Sequence, residues 1–594
     1  MEDERGRMPV NSSVNPNPGN SHNLRLIRAR AQMRDGVYLN VHVYLPRNAS
    51  GPIPAVVELT PYTVETAHGD GQFFPQRGLA YVVADVRGRG DSDGKFASGI
   101  SGADDGIDGF DLIEWIVTQD WSDGRVVLYG GSYTGANQWL MLGQRHPGVV
   151  AASPAAAFAP GIDIPRGGIP NLYTMKWRSV VWGKALYAQS GADNGIWAQE
   201  IREALNDGRP IWTAGETFGL PLDEDLRRNI EKPDLENWSD SYSSDEQLAG
   251  LEIPVLTVTG THDDCLPGTI YHWERYENLA SPTALAKSHL LIGPWDHAGT
   301  DSGNNSVGEL KFSDDARLSL RELRTDWFRH ILFGEPKPDL LDNPFVFYVA
   351  GAEQWKSTSS LSAATKDTLV LNAHALPGKN DVFHSGWLDT ELFDGPEYQL
   401  TLDPKDMRAI EAELTPRPGS TPDNPLFAEA YNSLLMTQGG NDPTSQIFSV
   451  NVDGNGLVYH TAPFATQINV VGKPKLSLVV IPDQPDADLS IVLHEIRPDG
   501  ASIFLSSDLV RLSRVNTTAA GTLLVGEVNI IEIDDFRFCS RTLQQGSRIR
   551  LTVRSPWSAL IFPTSSGLVN DPEVNLRILH GKDQPTQLTL PIGH

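Results

Sequence analysis

The chain has 594 residues and a formal net charge of -27, with 21% charged and 40% hydrophobic residues. A chain this long exceeds what one hydrophobic core serves, so two or three domains are expected. The acidic surplus, scattered rather than blocked, excludes non-specific nucleic-acid binding and docking to an anionic membrane surface, both of which need a basic face.

Residues 1–23, MEDERGRMPVNSSVNPNPGNSHN, hold no apolar run, so no secretory signal peptide is read there, and their Asn, Pro, Gly and Ser content suits a flexible arm. QMRDGVYLNVHVYLPR then alternates about Asp35-Gly36, a hairpin pattern. From there the texture changes to short continuous apolar runs: IPAVVELTPY, LAYVVADVRGRG, RVVLYGG, VVAASPAAAF, IPVLTVTGTHDD and SHLLIGPWDH. Such runs suit strands buried on both faces of a parallel sheet. Helical patterns such as DGIDGFDLIEWIVTQD and YTGANQWLMLGQRHP lie between them, which predicts an open α/β sheet. Functional residues in such sheets gather beyond the carboxyl ends of the strands, where this chain carries Tyr62, Arg87, Ser132, Asp263 and His297.

Between Phe158 and Leu251 the strand pattern stops, and Trp177, Trp182, Trp197, Trp212 and Trp238 fall among helical stretches such as NGIWAQEIREAL. A helical insertion covering the sheet is expected, since insertions this long are commonly lids or binding elements. After Trp355, runs such as DTLVLNAHAL, KLSLVVIPDQ, DLSIVLHEIRPDG, VGEVNIIEI and SRIRLTVRS read as short alternating strands of an antiparallel sandwich. The expected division is an arm (1–23), an α/β domain in two parts (24–158 and 251–355), a cap (159–250) and a β-sandwich (356–594). No run approaches the roughly 20 apolar residues of a membrane helix. The two cysteines, Cys265 and Cys539, fit no metal-ligand spacing and no disulfide framework. A cytoplasmic protein without membrane association is expected.

The stretch Gly130-Gly131-Ser132-Tyr133-Thr134-Gly135 sits between a strand and a helix, the setting of a nucleophile elbow. Against the common G-x-S-x-G, its second glycine arrives one residue late. A serine hydroxyl needs a base, and the base an orienting acid. GTHDD ends one predicted strand with Asp263 and Asp264, and GPWDH ends the next with His297, so the order Ser, Asp, His fits an α/β-hydrolase. DVRGRGDSDG lacks the Lys-Ser/Thr of a phosphate loop and reads as a turn in which Arg87 and Asp91 pair locally. ADDGIDGFD lacks a calcium-loop pattern, and its acids suit a helix start.

Nearly the whole chain resembles the cocaine esterase and X-Pro dipeptidyl-peptidase group of serine hydrolases, which also contains α-amino acid ester hydrolases. TPY, ADVRGRGDSDGKF, DGFDLIEWI, DGRVVLYGGSYTG, GTHDD and IGPWDH come in that family's order and approximate spacing. Its serine motif, G-x-S-Y-x-G, is matched by Gly130, Ser132, Tyr133 and Gly135. The resemblance implies an α/β-hydrolase fold with a helical cap and a C-terminal jelly roll. It implies Ser132 as nucleophile, His297 as base and acid, and Asp263 as orienting acid, with Asp264 as the alternative acid or otherwise a surface or turn residue. It implies an oxyanion hole of the Tyr62 hydroxyl, from Pro61-Tyr62, and the Tyr133 N–H. No metal or organic cofactor is implied.

In the α-amino acid ester hydrolases, acidic residues follow the catalytic Asp by two and three positions; here these are Cys265 and Leu266. Cocaine esterase carries an aromatic where Cys265 stands. An apolar pocket wall is therefore expected there, with Tyr173, Met175, Trp177 and Trp182 either lining the pocket or forming the core of the cap. The function expected is hydrolysis of a small-molecule ester through an acyl-enzyme. Amide hydrolysis, as by an acylase, amidase or X-Pro-type dipeptidyl-peptidase, is the alternative, and a non-catalytic protein binding through the sandwich is a more remote one. Homo-oligomerisation is left open.

Overall fold

The computed structural model describes residues 23–96, 102, 104–169, 173–181, 183–184, 193–220, 224–376, 385–406, 456–517, 523–556 and 572–593. Residues 1–22 of the expected arm, and Trp182, lie outside the described residues.

The sheet of the first domain is built from β1 (Leu24–Gln32), β2 (Tyr38–Pro46), β3 (Ile53–Thr60), β4 (Ala80–Asp85), β5 (Ser122–Gly131), β6 (Val149–Ala155), β7 (Leu256–His262) and β8 (His289–Asp296). A two-strand hairpin follows, β9 (Ser306–Val307) and β10 (Leu310–Lys311), and the sheet is completed by β11 (Phe345–Val349) and β12 (Gln354–Thr358). The ten strands lie in the order β1-β2-β4-β3-β5-β6-β7-β8-β11-β12. From β4 to β11 every neighbouring pair is parallel, while β1/β2, β2/β4 and β11/β12 are antiparallel.

The continuous apolar runs are explained by what lies on each face. Side chains alternate across a strand, so Val57, Leu59, Val82, Ala84, Val126 and Leu128 enter one apolar core while Val56, Tyr81, Val83, Val127 and Tyr129 enter the other. The first core is closed by the helices Asp105–Val117, Tyr133–Gly143 and Leu266–Leu279, through Leu112, Ile116, Trp139, Leu142 and Trp273. The second is closed by Phe74 and by the helix Leu320–Phe333, through Trp327, Phe328 and Leu332. Val56–Val57, Val82–Val83 and Val126–Tyr129 are buried on both faces, so these runs need no polar residue.

The segment between β6 and β7 carries the helices Tyr173–Val181, Asn194–Asn206 and Glu224–Glu231 rather than strands of the sheet. The second of these starts at Asp193, whose carboxylate accepts from the Gly195 and Ile196 N–H groups. Among the described residues no helix is long and apolar enough to cross a membrane.

Beyond Thr358, fourteen strands among the described residues pair into one network, mostly antiparallel, and form the β-sandwich. Here the strands depart from the expected alternation. All ten residues of Ser502–Arg511 are buried, as are the central seven of Asp488–Ile496. The outer face is covered by the first domain. Leu505 and Val510 enter the sandwich core, whereas Ile503 packs with Phe312 and Tyr348 against β11. The strand β11 itself, parallel to β8, is one that the run-by-run reading passed over.

Candidate active site

The five strand-end residues do stand at carboxyl ends. Tyr62 follows β3, Arg87 follows β4, Ser132 follows β5, Asp263 follows β7 and His297 follows β8. The parallel order of these strands places all five on one rim of the sheet.

Ser132 occupies the left-handed region, with φ 59° and ψ -122°, between the last residue of β5 and the first of the helix Tyr133–Gly143. A non-glycine residue there is strained and is held by its surroundings. The glycines explain how. A Cβ on Gly130 would stand 2.2 Å from Thr134 Oγ1, and one on Gly135 would stand 2.3 Å from the Ala155 carbonyl oxygen. At Gly131 it would meet only ordinary contacts, at 3.7 Å. The glycines this turn requires are therefore Gly130 and Gly135. The late glycine marks where the helix passes against β6.

Tyr133 opens the helix, so its N–H has no intrahelical acceptor. That N–H and the Ser132 side chain both lie in hydrogen-bonding reach of the Tyr62 hydroxyl. Burial pushes the Tyr62 phenol up, so it is a neutral donor at neutral pH, and these hydrogen bonds moderate the rise. The indole N–H of Trp177 also donates to the Tyr62 hydroxyl, at 3.3 Å. The Tyr62 loop is braced from below. Arg89 Nε donates to the Pro61 carbonyl at 2.7 Å, and Asp85 accepts from the Val64 N–H at 2.8 Å.

Asp263 is fully buried and its oxygens are shared out. Oδ1 accepts from His297 Nδ1 at 2.8 Å and from the Cys265 N–H at 3.0 Å; Oδ2 accepts from Thr259 Oγ1 at 2.8 Å. Burial works to raise its carboxyl, but the neighbouring imidazole and these bonds hold it below the usual carboxylate range. Burial likewise opposes charge on His297, yet the Asp263 carboxylate, with Asp264 and Asp296 beyond it, raises the imidazole above its ordinary value. The donor atoms of Asp263, Cys265 and His297 lie within 4.8 Å of one another, the one such grouping among the described residues able to hold a metal ion. Its carboxylate and imidazole are already hydrogen-bonded to each other. Burial drives the Cys265 thiol well above its ordinary value, so it is no thiolate nucleophile.

Of the residues expected to line a pocket, Trp177 stacks on Tyr133 with centroids 5.8 Å apart, and crosses Tyr62 edge-on at 6.4 Å. Met175 is 1% exposed and packs with Trp197, Ile201 and Ala214, so it is cap core and not a wall. On a helix, residues two apart point to different sides. Leu266 is likewise core, fully buried with Ile270 and Trp273 at the start of its helix. Tyr173 begins the helix Tyr173–Val181, and its side chain lies outside the described residues.

Two expectations are corrected, the Arg87 pairing and a surface place for Asp264, which does lie in a turn; a third, the acids at the helix start, holds and goes further. Arg87 does not pair with Asp91; it reaches Asp108 and Asp35, because the helix Asp105–Val117 brings Asp108 beneath it. Asp105 and Asp108 do more than complement a helix dipole. Asp108 takes that arginine, and Asp105 accepts from Asn137 and Tyr133. Asp264 is no surface residue. Both its oxygens are buried without a hydrogen-bond partner, and its nearest cation is Arg537, 3.8 Å away. Residue-by-residue reading missed Thr259, four residues before Asp263 on β7, and Phe158, tilted against Tyr133 at 6.3 Å.

Residues 35–299 match the family model of the X-Pro dipeptidyl-peptidase (S15 family), and residues 419–589 match that of the X-Pro dipeptidyl-peptidase C-terminal non-catalytic domain. Cocaine esterase from Rhodococcus sp. (strain MB1 Bresler) is 26% identical over 94% of this chain and 97% of its own. Among solved structures, an aminopeptidase from the marine sediment archaeon Thaumarchaeota archaeon superposes with a TM-score of 0.77 at 20% identity, covering 100% of both chains. An α-amino acid ester hydrolase does so with a TM-score of 0.77 at 19% identity, covering 96% of this chain and 97% of its own. At these identities the two structures speak to the fold alone.

Proposed function

Because this chain is a serine hydrolase of the X-Pro dipeptidyl-peptidase (S15) type, related to cocaine esterase, we propose that it hydrolyses a small-molecule carboxylic ester with Ser132, His297 and Asp263. His297 Nδ1 is engaged by Asp263, so Nε2 takes the proton as Ser132 Oγ attacks the ester carbonyl. The Tyr62 hydroxyl and the Tyr133 N–H donate to the oxyanion that forms. The imidazolium then gives its proton to the leaving alkoxide. A water, deprotonated by the same nitrogen, releases the acid from the acyl-enzyme.

The observation that carries the proposal is the convergence of the Tyr62 hydroxyl, the Tyr133 N–H and the strained Ser132 at one point. Donors fixed before the charge appears cost no reorganisation when it does. Ester is preferred to amide because the full-length relative is an esterase by name; Cys265 and Leu266 offer no carboxylate to a substrate ammonium, which disfavours α-amino substrates of either kind. The family model's peptidase description favours amide hydrolysis as the second reading.

Labelling with a fluorophosphonate tests the chemistry. One adduct on Ser132, abolished by Ser132→Ala, is expected, and a folded protein that takes no label overturns the proposal. A panel of alkyl and aryl esters, aryl amides and proline-containing dipeptide amides then separates the two readings.

A further inference from the structure

The loop that carries Asp263 is touched by a residue from 274 positions further along the chain. Arg537 lies between two sandwich strands, Asn529–Ile533 and Cys539–Leu543. Its side chain is 7% exposed, and its guanidinium donates to the Asp263 backbone carbonyl and faces the Asp264 carboxylate at 3.8 Å. The main chain on either side is pinned. The Arg537 N–H donates to Ser507 O at 3.3 Å, and its carbonyl accepts from Ser506 Oγ at 2.6 Å. Phe536 is buried in the sandwich core, whereas Phe538 is buried in the core of the α/β domain, edge-on to Phe345 at 5.8 Å. Phe-Arg-Phe is thus a rivet between the domains with the guanidinium at its tip.

We propose that Arg537, supplied by the β-sandwich, is a positioning residue for hydrolysis, holding the loop that presents Asp263 to His297.

The loop needs an outside hold for a physical reason. Its own bonds are local: Asp263 N–H to Gly260 O at 3.1 Å, Leu266 N–H to Asp263 O at 3.1 Å, and Cys265 N–H to Asp263 Oδ1. Against them stand two adjacent buried carboxyl groups, Asp263 and Asp264, with a third, Asp163, near enough to act on both. Like charges drawn together in a dry place push the chain apart unless a cation or a proton intervenes. Besides His297, which Asp263 already holds, the cations at this junction among the described residues are Arg537 and Arg166, and Arg166 is engaged by Asp508 at 2.8 Å. A charged donor on the Asp263 carbonyl also fixes the peptide from which the catalytic carboxylate projects. The carboxylate holds His297 through Nδ1, so a small rotation of that peptide is passed to Nε2, the nitrogen that takes the proton in the proposed reaction.

The inference rests on Asp263 and His297 acting as acid and base. Its test therefore compares Arg537 variants with wild-type protein in the same fluorophosphonate labelling and ester turnover. Arg537→Met keeps the packed stem and removes the donors; a fall in kcat and in labelling rate of about 10–100-fold, with KM little changed, is expected for a misplaced catalytic group. Arg537→Lys, which restores a charged donor, recovers most of the loss, and guanidinium ion added to Arg537→Ala raises its labelling rate while leaving Ser132→Ala inert. The inference is overturned if Arg537→Met labels at the wild-type rate, or if Met, Lys and guanidinium-treated Ala variants all fall together in step with loss of folded protein. Wild-type protein that takes no label overturns the hydrolase reading itself and this inference with it.

Discussion

The indole N–H of Trp177 donates to the Tyr62 hydroxyl at 3.3 Å while the indole ring lies nearly parallel to Tyr133, at 15°. A residue of the cap therefore touches both residues proposed to supply the oxyanion donors, Tyr62 by a hydrogen bond and Tyr133 ring to ring. Trp177→Phe keeps the stacking and loses the bond. One neutral hydrogen bond contributes about 0.5–1.5 kcal/mol. The expected result is a drop in kcat of about 2–10-fold with unchanged melting temperature, measured by steady-state kinetics and thermal denaturation.

Tyr62→Phe removes the donor itself. Its ring keeps the edge-on contact with Trp177, so the fold is retained. Loss of one oxyanion donor costs about 10²–10³-fold in kcat. Turnover within threefold of wild type would take Tyr62 out of the oxyanion hole.

The pH dependence follows from the Asp263–His297 bond. His297 must be neutral to accept a proton, and Asp263 raises its affinity for one. The acid limb of kcat/KM should therefore have its midpoint above the ordinary imidazole value of about 6.5, with activity rising as pH rises through it. Asp263→Asn removes the charge that raises His297, so the limb moves to lower pH. The rate falls at the same time, by up to about 10⁴-fold, because the imidazole is no longer held in the correct tautomer. A limb left in place by Asp263→Asn would assign that limb to another group.

The elbow predicts a contrast between neighbouring glycines. Gly135→Ala drives a Cβ into the backbone oxygen of Ala155, which cannot move without β6. Overpacking of this kind costs about 1–3 kcal/mol, and the displacement falls on Ser132. Gly131→Ala meets nothing closer than 3.7 Å and should leave the melting temperature near that of wild type. Thermal denaturation of the two variants side by side checks the difference.

Much of the first domain was legible because a doubly covered parallel sheet writes itself as uninterrupted apolar runs. Val126–Leu128, with faces in two different cores, leave no polar residue to blur the pattern. The same logic misled in the sandwich. Ser502–Arg511 reads as a half-exposed strand because it contains Ser506, Ser507, Asp508 and Arg511, yet all are buried. Their polar groups are answered by other parts of the molecule, Asp508 by Arg166 and Arg511 by Asp488. Buried polar pairs look like surface in a sequence, because the partner is remote.

The site divides in the same way. Ser132, His297 and the pair Asp263-Asp264 could be read from strand ends and order, whereas the choice of Asp263, and Tyr62, came through the resemblance. Choosing Trp177 over Met175 required the rotation of a helix whose apolar residues do not by themselves say which face meets the sheet. Arg87 was paired with an acid of its own turn, Asp91, whereas Asp108 is brought to it by a helix packing on β5. Nothing near Asp263 in the chain points to Arg537. The clue is the pair of phenylalanines around it, which looks like any short apolar patch until each ring is seen in a different core.

Those two rings bear on how the protein can be taken apart. The core of the α/β domain is completed by Phe538 and Val471, both from beyond Thr358, and the sandwich core is shared with Met175, Trp197 and Ile201 of the cap. A catalytic fragment cut at the end of β12 would start life with vacancies where those side chains belong. The modular look of the chain is thus a property of its order along the backbone, and its interior is common ground. Grafting a different sandwich onto this hydrolase means rebuilding the hydrolase as well.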